Sequence, residues 1–508
     1  LTKGSGAFRE ATNDMAPYEA RISFAVAMLL SAVPAAAAPC DSLASLSLPH
    51  TNVTLAQSVA AGQFAPPGGG GPGGAAAFRA LPAFCRVTAT LQPSPDSAIR
   101  IEVWMPASGW NSKLQSVGNG AWAGTISYSA MAAAVAAGYA AASTDTGHTG
   151  NNATFVVGHP ERLVDFAYRS VHEMTVAAKA IAASFYGNGP VRSYFNGCST
   201  GGRQALAEAQ RFPNDYDGIV AGAAANYPTH LQGAQVWTAK VSHQDEAGYI
   251  PPGKYPLLHN AALQACDALD GVTDGVLEDP TRCHFEPAAV LTGEQAQVAR
   301  KIYAGPVNPR TGESVFPGLE PGSEMGWDTL SGKDPLSLAN ETYQYLVFQD
   351  ASWDYRKFDP DHDVAQAEKV IGATMDAIDP NLRPFFGHGG KLLMYHGWAD
   401  PGIAPLNSVH YYSSVVDTLG GAAKDSIRLF MVPGMGHCHG GDGTDTFDPV
   451  ATLDQWVAQG RAPDQILASH STRGAVDKTR PLCPYPQVAT YKGSGDTNEA
   501  ANFACRMP

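Results

Sequence analysis

Residues 196–203 read Asn196-Gly197-Cys198-Ser199-Thr200-Gly201-Gly202-Arg203, which sets a serine in a Gly-x-Ser-x-Gly frame. The apolar run Val191–Phe195 before it predicts a strand, and Gly201–Arg211 after it predicts a helix. A serine at such a strand-to-helix turn is lifted to the carboxyl edge of a sheet, where substrate can reach its Oγ. The flanking glycines carry no Cβ to strike the neighbouring chain, so the turn can be tight. The backbone N–H of Thr200 then opens the helix beside the same site, ready to stabilise an oxyanion. The plainer reading is a helix-entry turn around a buried serine. Acyl transfer by Ser199 needs an acid and then a histidine further along the chain. Asp400, in His396-Gly-Trp-Ala-Asp400-Pro401, follows the predicted strand Lys391–Tyr395. His437, in Pro433-Gly-Met-Gly-His437-Cys438, follows the predicted strand Ile427–Val432. Both stand at carboxyl ends of strands, where α/β sites lie. His437 would take the serine proton and Asp400 would fix its tautomer. His148, His388, His396 and His439 compete as bases, His396 reading as a supporting or turn residue; Asp145 and Asp442 compete as acids.

Cys198 directly precedes Ser199, and Cys438 directly follows His437. A bond between them would hold nucleophile and base side by side. The alternatives are a nucleophilic Cys198 and a metal site at Cys438-His439.

The elements that must position these residues alternate along the chain. Cys85–Leu91 and Ala98–Met105 read as strands, the second with Ile99, Ile101, Val103 and Met105 on one face. Lys113–Val117, Gly138–Thr144, Val191–Phe195 and Gly218–Ala224 are further strands, with helices at Pro160–Phe185 and Gly201–Arg211. Such alternation predicts a mostly parallel sheet covered on both faces. The rhythm stops between Tyr227 and Phe386, a segment rich in aromatics, Pro and Gly with helical stretches at Leu257–Leu269 and Gly293–Tyr303. It resumes with Lys391–Tyr395, a helix Ala404–Leu419, Ile427–Val432 and a helix Val450–Gln459. The expected organisation is a leader over 1–38, an α/β core over 39–226 and 387–508, and an inserted second domain over 227–386.

The 508 residues are 44% hydrophobic and 16% charged, which excludes global disorder. The net charge is −14 with no Lys/Arg run, so neither nucleic acid nor an anionic membrane is an expected partner. Ile22–Val33 is a short apolar run after Arg21 and before Pro34-Ala-Ala-Ala-Ala38, the layout of a secretory signal starting at Met15 and too short to span a bilayer. The mature chain is expected to begin near Ala38 or Pro39, to be soluble, secreted or periplasmic, and to pair its eight cysteines. Ala65–Ala77 is a glycine-rich tract expected to be a flexible loop.

Gly-Cys-Ser-Thr-Gly-Gly-Arg at 197–203, the Asp400 segment and Gly-His437-Cys438 resemble the tannase and feruloyl esterase family, which includes hydrolases of mono(2-hydroxyethyl) terephthalate. The resemblance runs from Leu81-Pro-Ala-Phe-Cys85-Arg onward. It implies an α/β-hydrolase core with a large lid, a Cys198–Cys438 disulfide, a structural calcium in the lid, and esters of aromatic carboxylic acids as substrates. It puts a second oxyanion donor at Gly120 or Ala121 in the turn Gly118–Trp122. Independently, Asp267, Asp270 and Asp274 offer closely spaced oxygen ligands, with Val272 and Val276 able to add backbone carbonyls, a donor set that suits Ca²⁺. Asp-Gly turns in a solvated loop are the plainer account. Cys266 and Cys283 would clamp this loop, and Cys40–Cys85 and Cys483–Cys505 would complete four bridges. Lid aromatics Tyr345, Phe348 and Trp353 are candidates for contact with an aromatic substrate. The expected activity is a serine carboxylesterase of feruloyl or galloyl type, needing no cofactor for its chemistry. A terephthalate monoester hydrolase and a non-catalytic phenolic- or carbohydrate-binding protein are the rivals.

Overall fold

The computed structural model describes residues 37–67 and 74–508. The expected leader falls outside them but for its last two residues, as does the centre of the glycine tract. The tract's end is a helical turn, Gly74–Arg79, rather than loop, because Phe78 is buried and anchors it.

Nine strands form the central sheet: β1 Thr51–Val59, β2 Phe84–Leu91, β3 Ile99–Pro106, β4 Lys113–Val117, β5 Ala140–Thr144, β6 Arg192–Cys198, β7 Gly218–Gly222, β8 Lys391–Gly397 and β9 Ile427–Val432. Their spatial order is β1-β2-β3-β5-β4-β6-β7-β8-β9. The first three and β5 pair antiparallel, and from β5 through β4 to β9 every pairing is parallel. The parallel part is covered on both faces, so β5 and β7 are buried at every position and carry no alternation.

The covering helices are α1 Tyr128–Ala136, α2 Ser170–Tyr186, α3 Thr200–Arg211, α6 Leu406–Leu419 and α7 Pro449–Gln459. The helix predicted from Pro160 is continuous but passes through a π turn at Asp165–Arg169 before α2, which Gly187 ends at φ 80°.

Between β7 and β8 the chain adds no strand to any sheet among the described residues. It is built from helices, including α4 Pro228–Ser242 and α5 Tyr255–Cys266, and short 3₁₀ turns. Its apolar side chains cluster with residues of the sheet loops: Tyr343, Phe358 and Val364 with Trp122 and Phe166, and Leu231, Leu258 and Trp327 with Ile403. The helical insertion is therefore packed onto the carboxyl ends of the strands. Two hairpins, Ile466–Thr472 with Ala475–Leu482 and Val488–Tyr491 with Phe503–Arg506, end the chain.

Four disulfides join Cys40 to Cys85, Cys198 to Cys438, Cys266 to Cys283 and Cys483 to Cys505. No helix among the described residues is long and apolar enough to cross a membrane.

Candidate active site

β6 runs straight into Ser199, which takes φ 63° and ψ −122° before α3 begins at Thr200. A non-glycine residue held there stores roughly 1–3 kcal/mol of strain, which the surroundings must enforce. The Ser199 N–H donates to the Gly222 carbonyl at 3.0 Å, and the Ala225 N–H donates to the Ser199 carbonyl at 3.1 Å. A Cβ on Gly197 would lie 2.4 Å from the Gly201 oxygen, and one on Gly202 would lie 2.3 Å from the Gly222 oxygen. The turn thus depends on Gly202 as well as on the glycines of the motif.

Asp400 and His437 meet beside it. His437 Nδ1 donates to Asp400 Oδ2 at 2.6 Å. The same oxygen accepts from His396 Nε2 at 3.0 Å, and Oδ1 accepts from the N–H groups of Gly402 and Ile403 at 2.8 and 3.0 Å. His396 Nε2 also lies 3.1 Å from the Ile403 carbonyl, so two acceptors mark it as the protonated nitrogen, and Nδ1 meets Ser408 Oγ at 2.8 Å. Burial alone would push the Asp400 carboxyl up; His437 and His396 together hold it well below the usual carboxylate range. Burial opposes charge on His437, but the Asp400 charge and hydrogen bond outweigh it and raise the imidazole. The Cys198–Cys438 bond, with Cα atoms 6.1 Å apart, ties the two loops together.

Ser199, Thr200 and His437 line one cavity of about 330 Å³. Ala121 lines it too, at φ 45°, whereas Gly120 is exposed and is not in its wall. Of the two oxyanion candidates, Ala121 is the one at the cavity. Its loop is braced by a pair invisible in the sequence: Gln204 Oε1 accepts from the Asn119 N–H at 3.0 Å, and Asn119 Nδ2 donates to the Thr144 carbonyl at 2.9 Å.

The lid aromatics require correction. Tyr345, Phe348 and Trp353 do not line this cavity. Phe348 and Trp353, both half-buried, stack on each other, and Trp353 stacks on the buried Tyr343 in the core of the insertion; Tyr345 faces a separate groove with Val157 and Gln349. Aromatic clustering in sequence records apolar demand and not which cavity it serves. The wall is instead Trp122, Phe166, Leu231, Leu336, Leu338 and Met375. Arg203, the last residue of the motif, also reaches it, but donates to the carbonyls of Ala167 and Phe166 in the π turn.

The competing residues have other partners. His148 donates to the Trp122 carbonyl and stacks on Phe155; His388 meets the Pro213 carbonyl; His439 is exposed. Asp145 accepts the N–H groups of Arg100 and Gly147. Asp442 lies 3.2 Å from His259 Nε2, while His259 Nδ1 is 3.0 Å from the buried Glu324. The bonds to Asp442 and Glu324 push His259 up to about 9.

In the loop 267–276, the Asp267 carboxylate accepts the N–H groups of Asp274 and Gly275, and Asp270 accepts that of Val272. Burial, then repulsion from Asp274 and Asp267, raises the Asp270 carboxyl. Asp274 faces Lys478 and Arg480. Among the described residues no three His, Cys, Asp or Glu side chains converge closely enough to hold a metal by themselves. Val272 and Val276 are buried in the same loop. The donors are all oxygen, the type a hard cation takes, but Asp274 already has Lys478 and Arg480 as counter-charges.

A mixed, largely parallel sheet with a serine on a strained strand-to-helix turn, and an Asp–His pair at later strand ends, defines an α/β-hydrolase fold. The family model "Tannase and feruloyl esterase" matches residues 85–506, and the chain belongs to that family of carboxylic ester hydrolases. An uncharacterized esterase of Xanthomonas campestris pv. campestris is 37% identical over 95% of this chain and 93% of its own. The "Probable feruloyl esterase B-1" of Aspergillus flavus is 34% identical over 83% of this chain and 86% of its own. The crystal structure of feruloyl esterase B from Aspergillus oryzae superposes with a TM-score of 0.85 at 30% identity, covering 92% of this chain and 99% of that one. A tannin acyl hydrolase from Aspergillus niger shares the fold, with a TM-score of 0.77 at 22% identity over 94% of each chain.

Proposed function

We propose that this protein hydrolyses esters of aromatic carboxylic acids, feruloyl or galloyl esters first, through an acyl-Ser199 intermediate. The observation that carries this reading is the Asp400–His437 pair beside an elbow serine that shares a cavity with His437. With Nδ1 donating to Asp400, His437 Nε2 is the basic nitrogen that takes the Ser199 proton during attack on the ester carbonyl. The oxyanion is met by the N–H groups of Thr200 and Ala121. The imidazolium, stabilised by Asp400, then protonates the leaving alcohol, and water repeats the sequence to release the acid. The apolar wall suits an aromatic acyl group. The terephthalate monoester reading lacks a partner for its carboxylate: Arg203 is the only arginine or lysine lining the cavity among the described residues, and its bonds go to backbone carbonyls.

In this reading Asp267, Asp270 and Asp274, with the carbonyls of Val272 and Val276, hold a calcium ion. The ion, when bound, supplies charge neutralisation that cross-links the loop and takes no part in the ester chemistry. Four disulfides support work in an oxidising compartment, secreted or periplasmic. The deciding experiment is Ser199→Ala assayed on methyl ferulate, methyl gallate and the terephthalate monoester. Loss on the order of 10⁶ in kcat is expected with the fold retained; residual turnover above a few percent would place the nucleophile elsewhere.

A further inference from the structure

The two N–H groups that meet the oxyanion come from separate parts of the chain: Thr200 opens α3, and Ala121 stands in the turn after β4. Both must lie about 2.7–3.1 Å from the same oxygen, so the gap between turn and helix has to be held closely. Ala121 needs outside support, because its φ of 45° is in the left-handed region that alanine leaves unless its surroundings prevent it. Gln204 lies four residues after Thr200, one turn further along the same face of α3. It is 0% exposed, and Asn119, next but one before Ala121, is 5% exposed. Gln204 Oε1 accepts the Asn119 N–H at 3.0 Å, and Gln204 Nε2 donates to Asn119 Oδ1 at 3.1 Å. One amide thus grips the turn by both backbone and side chain. Asn119 Nδ2 passes the hold on, donating to the carbonyls of Thr125 and Thr144 at 2.9 Å each. Beside the pair the two backbones touch: a Cβ on Gly118 would lie 2.7 Å from the Gly201 Cα. Apolar side chains could fill the same space without partners, whereas buried amides with every nitrogen and oxygen paired specify one geometry.

We propose that Gln204, acting through Asn119, is the positioning residue of the oxyanion hole and sets the distance between the Ala121 and Thr200 N–H groups. This rests on the acyl-Ser199 reading above and adds what holds the two donors at their working separation. The contact it tunes is made only once the carbonyl oxygen carries charge. Its loss therefore falls on kcat and leaves KM nearly unchanged.

The test compares the native enzyme, Gln204→Met, Asn119→Ala and the double variant on methyl ferulate, with a thermal melt of each. Gln204→Met should lower kcat by about 10- to 100-fold, short of the roughly 10²–10³ that follows deletion of an oxyanion donor, with KM within about 3-fold. The double variant should be no slower than the slower single one, since both remove the same connection. An aryl trifluoromethyl ketone gives the specific readout: Ser199 Oγ adds to its carbonyl carbon, the serine proton passes to His437, and the carbonyl oxygen becomes the oxyanion. Its Ki should rise by the factor by which kcat falls, while the Ki of ferulic acid, which makes no bond to Ser199, stays within about 3-fold. A lower melting temperature with kcat and the ketone Ki unchanged would mean that the pair only stabilises the fold, and would overturn the proposal. Equal rises in both Ki values would move the effect to general ligand binding and overturn it too. Should the variants not fold, hydrogen exchange in the native enzyme decides: the Asn119 amide should be protected as long as those of β4, and exchange at the rate of an open turn would overturn the proposal. If Ser199→Ala keeps its turnover, the acyl-serine reading itself has failed and the proposal with it; if Ser199→Ala is inactive and Gln204→Met is native-like, the proposal alone falls.

Discussion

Replacing Asp400 by asparagine probes the candidate site through four hydrogen bonds at once. Oδ1 accepts two backbone N–H groups at 2.8 and 3.0 Å, and Oδ2 accepts from His437 and His396 at 2.6 and 3.0 Å. Asparagine has one acceptor and one donor end, so one pair of bonds must fail. With its oxygen toward the histidines, its NH₂ faces the N–H groups of Gly402 and Ile403. Two mismatched buried donors at about 1–3 kcal/mol each make that orientation costlier by about 2–6 kcal/mol. With the oxygen toward the backbone, the NH₂ faces His396, whose Nε2–H keeps the Ile403 carbonyl as acceptor, and His437, which escapes the clash by moving its proton to Nε2. That tautomer cannot accept the serine proton. The favoured orientation is therefore the unproductive one, and kcat on methyl ferulate should fall by about 10³–10⁴ with the fold kept. Stopped or steady-state assays at saturating substrate, paired with a thermal melt, measure both. A loss below about tenfold, with the melt unchanged, would show that Asp400 does not set the tautomer of His437.

Cys198→Ala/Cys438→Ala should fold but lose most of its kcat, because a displacement near 1 Å between the serine and histidine loops costs on the order of 10²-fold; native-like kcat in the double variant would contradict this. Chelation should lower the melting temperature, as Asp267, Asp270 and Asp274 then repel one another, and should affect a bulky ester more than a small activated one; an unchanged melt in protein shown by elemental analysis to be metal-free would remove the calcium. His259 titrates near 9 in the folded chain against about 6.5 unfolded, so its contribution is complete below pH 6.5 and disappears as pH rises through 9. Discounted for the half-exposed Asp442, that contribution is about 2 kcal/mol. Denaturant melts at pH 6 and 9 should therefore show the native chain losing about this much more than His259→Gln, and parallel pH profiles would refute it.

The strands that carry the site were legible because their burial demands a recognisable text. β7 is apolar throughout, β8 is apolar over Leu392–Tyr395, and β3 alternates in residue type. β1, Thr-Asn-Val-Thr-Leu-Ala-Gln-Ser-Val, was passed over: Val53, Leu55 and Val59 fall on alternate positions, but it is an edge strand with no position fully buried, and its polar content hides that short period. The π turn at Asp165–Arg169 was equally silent, since an i to i+5 turn inside a helix leaves the helical text intact. Ser199, Asp400 and His437 stood out by their places at strand ends. Asn119 and Gln204 did not, because the bond that braces the oxyanion loop joins residues 85 positions apart and exists only in the tertiary structure. The same holds for Tyr345, Phe348 and Trp353, which pack against a cluster whose other members, such as Trp122 and Phe166, come from distant parts of the chain.

The bridge between Cys198 and Cys438 also bears on how the protein is made. Its partners are separated by 240 residues, whereas the other three bridges close over 45, 17 and 22. At about 5–20 residues per second, a ribosome takes roughly 10–50 s to deliver Cys438 after Cys198. During that interval Cys40 and Cys85 can already be paired, and Cys266 and Cys283 emerge as a nearby local pair, so early closure of the short loops protects Cys198 from the wrong partner. Ser199 thus leaves the ribosome well before Asp400 and His437, and the candidate site cannot be assembled until most of the chain has been made.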